Sequence, residues 1–337
     1  MKAVGYVKSL PPSDPKSLFD FELPTPEPRG RDLLVAVHAV SVNPIDTKVR
    51  MREQGTEAHP KILGYDCAGV VLSTAPDATL FNPGDEVFYA GSILRPGTNS
   101  EFHLVDERLV GHKPKSLSFA EAAALPLTSL TAWELLFDRL RIPLGKPQQA
   151  GTLLVIGASG GVGSILVQLA HRLTGLTIIG SASRPESHQW VRKAGAHHIV
   201  DHSKKLADEV RKLGFPYADF VISLTHTDQH YDQIVDIIAP QGAFALIDSP
   251  PSLDANKLKP KSASLHWELM FVRSTFQTAD MIEQHRILEQ ISTLVDAGLI
   301  HSTLGTAAGH INAKNLRKAH AAIESNRSIG KIVLEGF

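Results

Sequence analysis

A single cysteine, Cys67, stands in 337 residues, so the chain can close no internal disulfide and build no cysteine-rich structural zinc site. Net charge is equally scarce: 34 Lys and Arg against 35 Asp and Glu leave −1 at pH 7. That balance provides no electrostatic footprint for nucleic acid or an anionic membrane, and small molecules are the expected partners. Long apolar runs are missing too. Stretches such as LLVAVHAVSV (33–42) fall well short of the roughly 20 residues that span a bilayer. The opening MKAVGYVKSLPPSD lacks the continuous apolar segment of a signal peptide, and a cytoplasmic protein is expected. Internal repeats and low-complexity segments are also absent. What remains is an apolar fraction of 43% with 20% charged residues, ordinary for a globular protein. The length exceeds the usual single core, so two domains are expected.

The two parts of the chain differ in punctuation. Of the 21 prolines, 13 lie in residues 1–126, where short β-branched runs such as KAVGYV, DLLVAVHAVSV, CAGVVLST and DEVFYAG are separated by turns. Pro83 and Gly84 precede one of these runs in the order a type II turn prefers. This part reads as an antiparallel β domain. From about 126 onward, short apolar strands (152–157, 176–182, 197–200, 219–224, 243–248) alternate with amphipathic helical segments, including YDQIVDIIAPQG, which ends in glycine as helices do. The alternation predicts a doubly wound parallel sheet. Two further helical stretches (279–300 and 312–326) and a terminal strand, GKIVLEGF, follow. The expected division is 1–126, completed by 276–337, and 127–275.

At the start of the second part, VIGASGGVGS (155–164) follows a predicted strand and opens a predicted helix. In that context a glycine turn leaves backbone N–H groups and the positive end of the helix dipole facing outward, ready for a phosphate. Gly160 would let the backbone approach a pyrophosphate and Gly163 would let the helix pack on the sheet, with Ser159, Gly161 and Val162 completing the loop. Ala158 replaces the first glycine of G-x-G-x-x-G. About 20 residues on, where NAD sites carry an acid for the ribose 2′-OH, the second strand ends GSASRPES. With no acid until Glu186, nothing at the strand end repels a 2′-phosphate and Ser183 and Arg184 could bind one, so NADPH is the expected cofactor. The alternative is that Arg184 is merely a solvated residue at a helix start.

These motifs together resemble the medium-chain dehydrogenase/reductase superfamily, in which a GroES-like catalytic domain is joined to a Rossmann domain. The resemblance covers nearly the whole chain, through VNPIDTKVR (42–50), LGYDCAGVV (63–71), NPGDEVFY (82–89), AAALPLTSLTAWELL (122–136), GASGGVGS (157–164) and GKIVL (330–334). The N-P-x-D stretch and G-A-S-G-G-V-G look like the quinone oxidoreductase branch, and especially like proteins labelled zinc-type alcohol dehydrogenase-like. The resemblance implies an α/β fold, an NADPH cofactor, a quinone or enone substrate and a homodimer.

The zinc in that label needs ligands. Where zinc alcohol dehydrogenases carry a cysteine, this sequence has Asn43 and Asp46, and where they carry G-H-E it has Gly64, Tyr65 and Asp66. Amide and phenol are poor substitutes for zinc donors, so no metal is expected. Without a Lewis acid, alcohol oxidation is hard, whereas conjugated carbonyls accept hydride with positioning and hydrogen bonds. The expected activity is NADPH-dependent, zinc-independent reduction of quinones or α,β-unsaturated carbonyls. The alternatives are a zinc-dependent alcohol dehydrogenase and a non-catalytic NADPH-binding regulatory protein.

By the same resemblance, Asn43 and Asp46 lie in a loop bordering nicotinamide and substrate, Asn43 orienting either one and Asp46 ordering the loop. The alternative is Asx-type turn bonding. Tyr65 either donates its hydroxyl to the substrate oxygen or fills vacated space. Thr128 and Thr131 lie where relatives contact the nicotinamide, with helix capping as the alternative. His202 sits where NADPH enzymes place an aromatic near the 2′-phosphate, unless it is a surface histidine, and Lys331 is expected to reach the cofactor. Cys67 reads as a small buried hydrophobe rather than a nucleophile.

Overall fold

The computed structural model describes residues 1–147 and 151–337. Backbone contacts divide them into two units, Met1–Leu130 with Phe271–Phe337, and Thr131–Met270.

In chain order the first unit begins with β1 (Lys2–Tyr6), β2 (Phe19–Glu22), β3 (Asp32–Val42), α1 (Pro44–Arg52), β4 (Lys61–Ile62), β5 (Cys67–Thr74), β6 (Glu86–Tyr89), β7 (Phe102–Asp106), β8 (Val110–His112), α2 (Phe119–Ala123) and the start of α3 (Pro126–Trp133), whose residues 131–133 belong to the second unit. The second unit contains β9 (Thr152–Ile156), α4 (Gly161–Leu173), β10 (Thr177–Ser181), α5 (Pro185–Lys193), β11 (His198–Val200), α6 (Leu206–Lys212), β12 (Ala218–Ser223), α7 (Thr227–Ile237), β13 (Ile238–Leu246) and β14 (Ser264–Trp267). The chain then completes the first unit with α8 (Val272–Phe276), α9 (Glu283–Asp296), β15 (Leu304–Ala307), α10 (Ala313–Glu324) and β16 (Lys331–Glu335).

The first unit is built on a seven-stranded sheet, in which the path β15-β16-β3-β5-β6-β8 is antiparallel except at β15–β16 and β7 pairs with β3. Strand β3 is its spine, because alternate residues Leu33, Val35, Val37 and Ala39 bury one face. Beyond His38, which is exposed, both faces are covered, so Ala39, Val40, Ser41 and Val42 are buried in succession. The strand therefore delivers its C-terminal end, and the polar residues that follow, into the interior.

The second unit is a six-stranded parallel sheet in the order β11-β10-β9-β12-β13-β14, the order of a doubly wound dinucleotide fold. Its core includes Leu154, Ile179, Val221, Ile234 and Phe244. The central strands are nearly continuous apolar runs because helices cover both faces.

Two local expectations need correction. The segment 43–46 is not a loop: Asn43 is the N-cap of α1, Pro44 is its first residue, and Asp46 returns its carboxylate to the Asn43 N–H. Together these are the start signals of a helix. Likewise, α7 does not run to Gly242 but stops at Ile237, and residues 238–246 form β13. Pro240 has no N–H to offer a helix and pushes the preceding residue into extended backbone.

Candidate active site and cofactor site

In the first unit, four elements converge on one buried carboxylate. Asp66, just before β5, is fully buried. Its Oδ2 accepts from Ser41 Oγ at 2.6 Å, Asn43 Nδ2 at 2.7 Å and Lys331 Nζ at 3.0 Å. Its Oδ1 accepts from the Leu127 N–H at 2.8 Å, one of the donors that the first turn of α3 leaves without a helical partner. Charge-assisted bonds of this kind are the stronger ones, and the helix dipole adds to them.

Lys331, the first residue of β16, is 3% exposed. Its ammonium donates to Asp66, to the Val42 carbonyl at 3.2 Å and to Asn43 Oδ1. The Asn43 amide is thereby held at both ends, its oxygen on Lys331 and its nitrogen on Asp66. Its Nδ2 also lies 3.5 Å from the Ser41 and Tyr65 carbonyls, so the amide is engaged within the protein at both ends.

Asp46 sits beside this network. Its carboxylate accepts from the Asn43 N–H at 2.7 Å and the Gly64 N–H at 2.9 Å, which ties the start of α1 to the Gly64-Tyr65-Asp66 segment. Burial pushes its pKa up to about 7, against the pull of those two N–H groups and of Lys331. At its other end α1 is fixed by buried Arg50, which is ion-paired with Glu324 of α10.

Tyr65 is buried, with its ring edge-on to Phe271 at a centroid distance of 5.5 Å. Burial raises its phenol pKa, so the hydroxyl stays protonated and can donate but not act as a base. Thr128 is buried and its Oγ1 bonds back to the Leu125 carbonyl at 3.1 Å. Thr131, in the second unit, is also buried. Cys67 is fully buried, and its thiol is pushed up to about 12 by desolvation.

The second unit gathers the other expected residues at the carboxyl ends of β9, β10 and β11. After β9 the chain turns at Gly157, whose φ is +83°. Gly160 is the N-cap of α4 and provides no side-chain cap, so the N–H groups of the first turn have no protein acceptor from that position. At Gly163 a Cβ would lie 2.4 Å from the Gly157 carbonyl oxygen and 2.6 Å from Ala158, so helix and turn require glycine there. At Gly160 the nearest atom to a Cβ is 3.5 Å away, an ordinary contact. The protein's own packing does not demand glycine at 160.

Ser159, Gly160, Gly161 and Val162 are half-buried around this turn. Ser181, at the end of β10, accepts from the Gly157 N–H at 3.0 Å and meets His202 Nδ1 at 3.2 Å, so one hydroxyl links the glycine turn to the segment after β11. Ser183 is exposed, and Arg184 is the half-buried N-cap of α5, 3.6 Å from the Glu186 carboxylate.

The donor set of the first unit does not suit zinc. The relevant positions hold an amide and a phenol, and the nearby carboxylate is already neutralised by a lysine. Among the described residues, no group of three or more His, Cys, Asp and Glu could hold a metal ion.

Sequence reasoning singled out Asn43, Asp46, Tyr65 and Lys331, and the structure brings all four together. It left Asp66 without a role. A signal was available: a carboxylate inside the apolar run LGYDCAGVV needs a cation to be buried there, and Lys331, at the head of an apolar strand, needs an anion.

The fold and its two polar clusters define a two-unit α/β protein whose second unit is of dinucleotide-binding type. Comparison with known proteins takes the assignment further. Residues 29–132 match the alcohol dehydrogenase GroES-like domain, and residues 194–334 match the zinc-binding dehydrogenase family. The chain is 38% identical to a zinc-type alcohol dehydrogenase-like protein of Staphylococcus aureus (strain MSSA476), over 99% of both chains. A Rhizobium etli CFN 42 protein, solved under the name of a zinc-dependent alcohol dehydrogenase, superposes with a TM-score of 0.96 at 57% identity, over 100% of this chain and 98% of that one. The quinone oxidoreductase of Coxiella burnetii superposes at 0.79 with 26% identity, over 100% and 99%. The chain belongs to the medium-chain dehydrogenase/reductase superfamily. It is an oxidoreductase of that family.

Proposed function

We propose that the protein is an NADPH-dependent, zinc-independent reductase of quinones or α,β-unsaturated carbonyls. The observation that carries the proposal is the Lys331 ammonium seated between Asn43 and Asp66. Where a metal-dependent relative would need open donors, this chain has a closed internal ion pair, and a second cation there would meet the ammonium. Alcohol oxidation without a Lewis acid is disfavoured, whereas a conjugated acceptor needs only placement and a donor for the oxyanion that develops. Tyr65, held protonated by burial, is the donor we assign to that oxygen. Likeness to a quinone oxidoreductase supports the same substrate class.

NADPH, when bound, supplies the hydride. The first turn of α4, from Gly161, binds the pyrophosphate, and the open side of Gly160 leaves room for it. Ser183 and Arg184 take the 2′-phosphate at the end of β10, where no acid precedes Glu186 and the position that would receive a ribose hydroxyl in an NAD site carries none. We assign Thr131, in the second unit, to positioning the nicotinamide. The unit Thr131–Met270 is then the nucleotide-binding domain, and the other unit the catalytic domain.

The test is NADPH oxidation by the purified protein against quinones, enals, simple ketones and alcohols, with and without a chelator. Turnover of conjugated acceptors that survives chelation is expected. Activity confined to alcohols and simple ketones, and lost with chelator, would refute the proposal.

A further inference from the structure

Four histidines lie around the carboxyl ends of β10, β11 and β12, and the glycine turn and Arg184 alone do not account for them. His202 follows β11, with Nδ1 on Ser181 Oγ. His230 is on α7, its ring centroid 6.1 Å from that of His202, edge to face. His226 precedes α7 in the left-handed backbone region at φ +50°, with Nδ1 2.7 Å from Thr225 Oγ1. His188, on α5, has Nε2 on the Ala182 carbonyl at 2.8 Å. A non-glycine residue held left-handed is strained, and such strain gathers at functional sites.

The charges around this cluster are unbalanced. His202 faces His226, His188 and Arg184, with Asp201 as its acidic neighbour. His230 faces His202 and His226, with Asp228 and Asp248 opposing them. None of these acids is hydrogen-bonded to either imidazole; Asp201 is engaged by Ser203, and Asp248 by Thr227. Desolvation and mutual repulsion lower the pKa of both His202 and His230. At neutral pH His202 and His230 are therefore uncharged imidazoles near a half-buried arginine that also faces Glu186, and an arriving dianion can recruit a proton to them.

Resting on the NADPH assignment above, we propose that His202 and His230 are specificity-determining residues. They take up a proton from solvent as the 2′-phosphate of NADPH binds, so that affinity for NADPH but not NADH depends on pH. A phosphate monoester, with a second pKa of about 6, is a dianion above neutrality and stabilises the imidazolium that forms beside it. Arg184 provides the constant part of the attraction, and the histidines provide the proton-linked part.

The test is titration of the full chain with NADPH and with NADH, between about pH 7 and about pH 8.5, where the phosphate stays dianionic. Calorimetry in buffers of different ionisation enthalpy counts the protons taken up. Uptake of one proton predicts NADPH affinity falling roughly tenfold per pH unit, with NADH affinity flat. His230→Gln and His202→Gln should each reduce the slope, whereas Arg184→Gln should weaken NADPH at every pH and leave the slope in place. Tight NADPH binding without proton uptake, or parallel pH profiles for the two cofactors, would overturn this proposal and leave the cofactor assignment standing. Tighter NADH binding at every pH would overturn both.

Discussion

Replacing Lys331 by methionine removes one charge from a buried pair and leaves the other behind. Methionine has nearly the length of lysine, so the space stays filled and the lost ammonium dominates. Asp66 would remain fully buried, with Ser41, Asn43 and the Leu127 N–H as its donors. Breaking a buried ion pair from one side costs about 3–5 kcal/mol. Three surviving donors hold the loss near the lower end, about 3 kcal/mol. For a folding unit of this size that corresponds to a melting temperature lower by about 6–12 °C. The measurement is thermal and urea unfolding of the parent, Lys331→Met, Asp66→Asn and the double variant. Removing both charges should recover at least half of the loss, because a neutral amide in place of the Asp66 carboxylate needs no cation and can still accept from Leu127. A Lys331→Met protein within about 0.5 kcal/mol of the parent would show that the pair carries no such energy. Strictly additive single changes would refute the coupling.

The glycine turn yields a paired prediction. Gly163→Ala drives a methyl into the Gly157 carbonyl and Ala158, and should cost about 1–3 kcal/mol of stability. Gly160→Ala meets nothing closer than 3.5 Å and should leave stability unchanged while weakening NADPH binding at least tenfold, about 1.4 kcal/mol. Equal cofactor affinity in the Gly160 variant would mean that the turn is only structural. Asp46 makes stability depend on pH in a defined sense. Its folded pKa, about 7, lies above its ordinary carboxylate value, so between roughly pH 4 and 7 the folded state holds a proton that the unfolded state has released. Stability contributed by this group is full below pH 4 and is lost as pH rises to 7. Relative to Asp46→Asn, the parent should therefore lose stability across that window, and parallel curves would contradict the assignment. Cys67, buried with its thiol pushed up to about 12, should resist thiol reagents at neutral pH until the chain unfolds. Rapid labelling of the folded protein would place it elsewhere.

Much of this molecule is legible because its signals are local. The glycine turn, the strand before it and the helix after it lie within about twenty residues, and steric demands on a turn act over that distance. The helical start at Asn43, Pro44 and Asp46 is just as local and still reads as a loop. Its capping pattern resembles an Asx turn, and α1 lacks a clear apolar stripe to contradict that reading. The expected run to Gly242 fails for a similar reason, since a glycine stop carries less weight than Pro240 two residues before it.

By itself, then, the sequence determined the alternation that makes a parallel sheet, the glycine turn between strand and helix, the lack of an acid between β10 and Glu186, and an amide and a phenol at Asn43 and Tyr65 where zinc-type donors would be needed. Tertiary structure decided how those residues are used. Lys331 and Asp66 are 265 positions apart, and only the antiparallel pairing of β16 with β3, and of β3 with β5, brings them to hydrogen-bonding distance. No local rule specifies such a pair: two charges distant in sequence each look anomalous in an apolar run, and only folding shows that each is the other's partner.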